Sequence, residues 1–107
     1  MSSSPFRRSL KVMADYHCFP LWESDPDLIG NVDPSTLPIS DSLRAKLLAW
    51  AASFDATLVR DDPVSSGFSS PAAEKAWLRE GAQLAEVLRD ELGPMFTVTY
   101  WHASQLL

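Results

Sequence analysis

The sequence predicts an α+β protein in which two helices pack on a small sheet formed by the terminal strands. Two central segments carry apolar residues at helical spacing, and segments near both ends alternate between apolar and polar residues. The hydrophobic share of 46% is enough to form a core, and a chain of 107 residues is too short for two domains with separate cores. The predicted order is β-loop-α-loop-α-β.

The first strand is predicted from the alternation of Leu10, Val12, Ala14 and Tyr16. The segment before it is basic and rich in serine, and it lacks the apolar run of a secretory signal. We therefore expect residues 1–10 to form a flexible leader and residues 11–107 to form a single domain.

A long loop is predicted from about His17 to Ile39. Four prolines and a glycine fall in this segment, and proline disfavours both helix interiors and strand ladders. The segment also contains many apolar residues, among them Phe19, Leu21 and Trp22. We expect this loop to be ordered and to pack back on the body of the protein.

Two helices are predicted from their capping residues and apolar stripes. The first begins at Ser40 or Asp41 and runs to about Thr57. The second has Ser70 as its cap and Pro71 at its first position, and it ends at Leu92 before Gly93-Pro94.

Gly81 lies on the apolar stripe of the second helix. A glycine costs about 1 kcal/mol relative to alanine within a helix, so its position predicts a close approach to another element, with the first helix as the candidate.

The clearest strand is predicted over Met95–Trp101, with Phe96, Val98 and Tyr100 on one face. Two strands alone form a marginal sheet. A third strand near residues 58–60, or pairing between two copies of the chain, would complete it.

The charge distribution argues against several classes of function. The net charge is −5, whereas binding to nucleic acid requires clustered Lys and Arg. The chain has no apolar run long enough to span a membrane. Its single cysteine, Cys18, excludes an internal disulfide and fits a cytoplasmic location.

No catalytic or metal-binding pattern emerges from the motifs. Residues 25–33 partly match a calcium loop, but Thr36 stands where a bidentate glutamate is required, so a solvated turn is favoured. His17 and Cys18 are adjacent, which on a strand would direct them to opposite faces. We interpret Cys18 as buried and both His17 and His102 as surface residues. The expectation is a non-enzyme without cofactor or metal.

The acidic segment favours a protein-binding module. Residues 12–43 contain six acids and no Lys or Arg, which would attract a basic protein partner. Tyrosine and tryptophan are common interface anchors. The candidate partner-binding residues are therefore Tyr16, Trp22, Asp25, Asp27, Asp33, Asp61 and Asp62.

Two alternatives stay open. The first is a small ligand-binding protein or enzyme, with a pocket under residues 17–39 that uses Asp15, His17 and the Asp61–Asp62 pair. The second is a structural protein that forms a homodimer through an edge strand. For Trp22, burial in the core competes with a role as an anchor.

Several short motifs carry a resemblance to known proteins. They are Met13–Tyr16, Pro20-Leu21-Trp22, Gly30–Pro34, Leu37-Pro38, Asp61-Asp62-Pro63 and Ser65–Phe68. In these motifs the chain resembles, from about Lys11 onward, a family of small uncharacterised bacterial proteins. Members of that family are similar in size and acidity to immunity proteins that neutralise secreted bacterial toxins. The resemblance implies the hypothesis of an immunity protein against a basic toxin domain, and it assigns no site residue.

Overall fold

The computed structural model describes residues 8–24, 30–57, 68 and 70–106, and it confirms the α+β class. The strands are β1 (Arg8–Val12), β2 (Leu21–Glu23), β3 (Gly30–Val32) and β4 (Phe96–Tyr100). The helices are α1 (Asp41–Asp55) and α2 (Pro71–Leu92), with short 3-10 helices at Pro34–Thr36 and Trp101–Leu106.

The strands form one sheet in the order β3-β2-β1-β4. β1 pairs in parallel with β4, with Leu10 opposite Val98, so the predicted pairing of the terminal strands is confirmed. β2 pairs antiparallel with β1 and with β3. The other two strands come from the segment predicted to be a loop, and residues 58–60 lie outside the described residues.

The prediction of a long loop without strands over residues 17–39 was wrong, because this segment contains β2 and β3, each only three residues long. Pro20 precedes β2 and Pro34 follows β3, so neither proline interrupts a ladder. The side chain of Asn31 donates to the carbonyls of Phe19 and Leu21 at 2.7 and 2.9 Å, and it accepts from the Phe19 N–H at 2.7 Å. A single polar side chain thus adds three hydrogen bonds to the hairpin.

The boundaries of β1 differ from the prediction at both ends. The strand begins at Arg8, so residues 8–10 belong to the sheet and not to a leader, while residues 1–7 lie outside the described residues. It ends at Val12 because the chain then turns. The Cys18 N–H donates to the Asp15 carbonyl, and His17 has a positive φ of 62°.

The predicted starts of both helices and the predicted end of α2 are confirmed, whereas α1 ends at Asp55 and not at the predicted Thr57. Ser40 caps α1 by accepting from the Leu43 N–H at 3.1 Å, and Ser70 caps α2 by accepting from the Ala73 N–H at 3.1 Å. α2 has Pro71 in its first turn and ends at Leu92. Gly93 caps it with a φ of 79°, a conformation that glycine adopts without strain.

A pair of stacked tryptophans joins the two helices. The rings of Trp50 in α1 and Trp77 in α2 lie 4.5 Å apart at 7°. Each indole N–H donates to the backbone carbonyl of the other residue, at 3.0 and 3.2 Å. Both buried donors are therefore satisfied where the helices meet.

Gly81 confirms the predicted close approach. A Cβ at this position would lie 2.5 Å from Cζ2 of Trp50 and closer still to the hydroxyl of Tyr100. The neighbours are thus α1, as predicted, and also β4.

One hydrophobic core lies between the helices and one face of the sheet. The sheet contributes Leu10, Val12, Leu21, Val32 and Val98, and the helices contribute residues such as Leu43, Leu47, Leu84 and Leu88. Lys11, Trp22 and Thr99 project from the opposite face of the sheet and are not part of this core.

Candidate partner-binding surfaces

The face of the sheet that points away from the helices carries two tryptophans. Side chains alternate along a strand, so Lys11, Trp22 and Thr99 project opposite to the buried Leu10, Leu21 and Val98. Trp101 follows β4 directly and is 59% exposed. We call the surface formed by Lys11, Trp22, Thr99 and Trp101 the open face.

Two contacts restrain the tryptophan side chains of the open face. Lys11 lies opposite both Trp22 and Thr99 in the strand register, and its Nζ lies 4.8 Å from the centre of the Trp101 ring. The Trp22 indole N–H donates to the Met13 carbonyl at 3.0 Å. Trp22 is half-buried, so part of its ring is available to a partner while its polar group is satisfied.

A second surface is a groove between the turn after β1 and the outer side of α1. It is lined by His17, Cys18, Phe19, Asn31, Leu48, Ala51, Ala52 and Asp55, and its volume is about 320 Å³. Phe19 and Leu48 are 39% and 41% exposed. We call this surface the turn groove. It lies beside the segment where the sequence placed an alternative ligand pocket, and it is open to solvent.

Asp55 lines the turn groove, and Asp15 lies in the turn beside it. Asp55 accepts from the His17 N–H at 2.8 Å, which holds the turn against α1, and Asp15 accepts from the Tyr16 N–H at 2.8 Å. Burial raises the pKa of the Cys18 thiol, and the negative charges of Asp15 and Asp55 raise it further. The thiol therefore stays protonated at neutral pH and is a poor nucleophile.

The histidines and the cysteine differ from their predicted environments. His17 is exposed as predicted, whereas His102 is buried and its Nε2 accepts from the Ala14 N–H at 3.3 Å. Cys18 is half-buried. His102, in the 3-10 helix after β4, is buried because its ring packs edge-on with Trp50 and Trp77, at 6.1 and 5.1 Å between ring centres, and these residues are far from it in sequence.

Tyr16 and Trp22, both proposed as anchors, occupy different environments. The Tyr16 ring stacks on Phe54 of α1 with 4.7 Å between ring centres, and its hydroxyl lies 3.4 Å from Oγ1 of Thr57. Tyr16 therefore supports the turn against α1, while Trp22 lies on the open face.

The predicted acidic residues are only partly described. Asp33 caps the 3-10 helix at Pro34–Thr36 by accepting from the Ser35 N–H at 2.9 Å. Asp25, Asp27, Asp61 and Asp62 lie outside the described residues. Asp15 and His17 adjoin the turn groove, but the Asp61–Asp62 pair of the enzyme hypothesis has no described position.

Sequence reasoning missed three exposed apolar residues: Phe19, Leu48 and Trp101. Trp101 was assigned to the last strand. Leu48 lies outside the apolar stripe of α1, and this position was the signal that could have predicted its exposure. The exposure of Phe19 depends on how its turn packs beside α1, which no local sequence pattern indicates.

The described part of the chain shows neither a metal centre nor a membrane span. Within residues 8–24, 30–57, 68 and 70–106, no three His, Cys, Asp or Glu side chains are grouped to hold a metal ion. Neither described helix is both long enough and apolar enough to cross a bilayer.

Comparison with known proteins identifies the family. The family model described as Serratia CdiI immunity protein-like matches residues 8–103. That range contains all four strands, α1 and α2, the open face and the turn groove. No curated protein matches the chain. The chain therefore belongs to the Serratia CdiI immunity protein-like family.

Proposed function

We propose that this chain is an immunity protein that binds a bacterial protein toxin and blocks its activity without performing catalysis itself. The observation that carries the proposal is the family match over residues 8–103, which spans the sheet and both helices. The role is one of protein–protein recognition, so the proposal requires an exposed surface with residues that anchor a partner.

The open face is the surface best suited to that contact. Tryptophan is enriched among the residues that contribute most to binding, and exposed apolar surface often marks an interface. Trp22 and Trp101 lie on this face with their surroundings already ordered by the indole hydrogen bond and the Lys11 contact. A preorganised surface loses little side-chain entropy on binding, which favours affinity.

The acidic charge of the chain supports a basic toxin as the partner. Asp25, Asp27, Asp33, Asp61 and Asp62 contribute to the net charge of −5, and a field of one sign accelerates encounter with a partner of opposite sign. These aspartates attract the toxin, whereas Trp22 anchors it. Tyr16 contributes indirectly, because it holds the turn that borders the turn groove.

A capture experiment followed by a protection assay tests the proposal. The tagged chain is used to recover its partner from the native host at low salt, and the partner is identified by mass spectrometry. The gene of the identified partner is then expressed in a test strain with and without the gene of this chain. We expect the partner to arrest growth alone and the chain to restore growth.

Two variants test the open face within that assay. Trp22→Ala and Trp101→Ala should each weaken binding to the partner by roughly tenfold or more, since truncated anchors cost about 2 kcal/mol. Val87→Ala and Met95→Ala are matched controls, because both residues are exposed and apolar but lie outside the open face. Equal binding by all four variants would exclude the open face, and a partner that does not arrest growth would exclude the immunity function.

A further inference from the structure

The turn groove combines apolar walls with negative charge. Phe19 and Leu48 form exposed apolar walls, and Ala52 of α1 lies beside Leu48 along the groove. Asp55 is one of the lining residues, and Asp15 lies in the adjoining turn, where its backbone carbonyl accepts from the N–H of the lining residue Cys18 at 3.3 Å. None of the described lining residues is a lysine or arginine.

The two carboxylates are available to a cation from outside the chain. Each accepts one backbone N–H within the turn, and a carboxylate has further acceptor positions after one such bond. Neither carboxylate forms an ion pair with a described residue, since the described pairs are Arg8–Glu23 and Arg44–Asp41.

This combination matches the chemistry of a basic side chain. Arginine and lysine bury an aliphatic stem against apolar surface while the charged head remains at the polar edge. Arginine also donates several hydrogen bonds in a fixed plane that suits carboxylates. His17 lines the groove as well, and its backbone N–H, which donates to Asp55, sets the orientation of that carboxylate.

We propose that the turn groove receives an arginine or lysine side chain of the toxin, as a second contact separate from the open face. This inference rests on the proposed function, because the occupant belongs to the toxin. It adds the chemistry of the contact: the stem lies between Phe19 and Leu48, and the head binds Asp15 and Asp55.

A charge-neutralising double variant tests the contact with the purified toxin partner. Asp15→Asn with Asp55→Asn removes both charges and keeps side-chain oxygens that can accept from Tyr16 and His17. We expect affinity to fall about tenfold at low salt, with a smaller difference at high salt because salt screens exposed charges. The control Glu86→Gln with Asp90→Asn removes the same charge from exposed positions of α2.

A second pair of variants places a cation in the groove without altering the turn. Leu48→Arg adds a guanidinium to the groove wall, and Val87→Arg adds one to α2 at a position of similar exposure. We expect Leu48→Arg to weaken binding to the toxin more than Val87→Arg. Thermal midpoints of all variants establish that each one is folded.

The outcomes separate this inference from the proposed function. If wild type protects cells and binds toxin while both groove variants bind as their controls do, the groove contact is excluded and the immunity function stands. If wild type neither binds nor neutralises the toxin, both proposals fall together.

Discussion

At the scale of single residues, Gly81 sets how closely α2 approaches its neighbours. Replacement by alanine would favour the helix by about 1 kcal/mol through propensity alone. The added Cβ, however, would lie 2.5 Å from Trp50 and closer to Tyr100. Both rings are restrained, because Trp50 donates to the Trp77 carbonyl and Tyr100 donates to the Leu78 carbonyl. The clash should therefore outweigh the gain in propensity.

We expect Gly81→Ala to lower the free energy of unfolding by about 1–3 kcal/mol, the usual range for overpacking a core. Chemical denaturation measures this change. Gly30→Ala is the control, since no atom of a described residue lies within 4 Å of a Cβ at that position, and it should change stability by less than about 0.5 kcal/mol. A more stable Gly81→Ala protein would show that the aromatic rings move aside easily.

Tyr100 predicts a loss of stability in alkaline solution. Burial raises the pKa of its hydroxyl above the ordinary value of about 10, so the folded chain holds this proton more tightly than the unfolded chain. Its contribution is fully present below about pH 10 and is lost as the pH rises further, because the unfolded state ionises first.

We expect Tyr100→Phe to be less stable than wild type at pH 7, by about 1 kcal/mol for the lost hydrogen bond to Leu78. Between about pH 10 and 12 the variant should lose less stability than wild type, since it has no phenol to ionise at this position. Urea denaturation over this pH range measures the difference. Parallel curves for the two proteins would contradict the assigned role of burial.

At the scale of elements, Glu91 ties the end of α2 to the start of α1. Its two carboxylate oxygens accept from the N–H and hydroxyl of Ser40 at 2.6 and 2.8 Å. Ser40 in turn caps α1 through its hydroxyl oxygen. A negative charge at a helix N-terminus also interacts favourably with the helix dipole. One side chain thereby orders both the cap and the relative position of the two helices.

We expect Glu91→Ala to cost about 1 kcal/mol of stability, a modest value because the residue is exposed. Glu86→Ala on the same helix is the control and should change stability by less than about 0.5 kcal/mol. Thermal and urea unfolding of the pair give the difference. Equal stabilities would show that solvent replaces the bonds to Ser40 without loss.

The elements also show which local signals are sufficient. Ser40, Ser70 and Gly93 correctly predict helix ends, because capping depends on residues within one turn. β2 and β3 were missed because three residues show no clear alternation, and their hydrogen bonds are made to neighbouring strands and not within each segment. The Asn31 bonds across the hairpin add order that composition does not indicate.

At the scale of the whole molecule, the acidic residues are concentrated in one part of the chain. Residues 12–43 hold six acids without Lys or Arg, while the rest of the chain is more balanced. Electrostatic attraction acts mainly on the association rate, and it weakens with salt. The proposed basic toxin should therefore bind faster at low ionic strength.

We expect the triple variant Asp25→Asn, Asp27→Asn and Asp61→Asn to associate with the toxin partner roughly tenfold more slowly at low salt, with little change in dissociation. Surface plasmon resonance over a range of salt concentrations measures both rates. Glu74→Gln, Glu86→Gln and Asp90→Asn remove three charges from α2 as the control. Equal slowing by both triple variants would assign the effect to net charge alone.

The sequence by itself determined the α+β class, the starts of both helices, the end of α2, the close packing at Gly81 and the resemblance to immunity proteins. These features depend on residues near one another in the chain, such as Ser70-Pro71 and the stripe of α2. Only the tertiary structure decided the four-stranded order, the burial of His102, the open face and the turn groove. Lys11 meets Trp101, and His17 meets Asp55, across long separations in sequence. Such contacts arise because the burial of apolar surface brings residues that are far apart in sequence side by side, and no local sequence pattern predicts them.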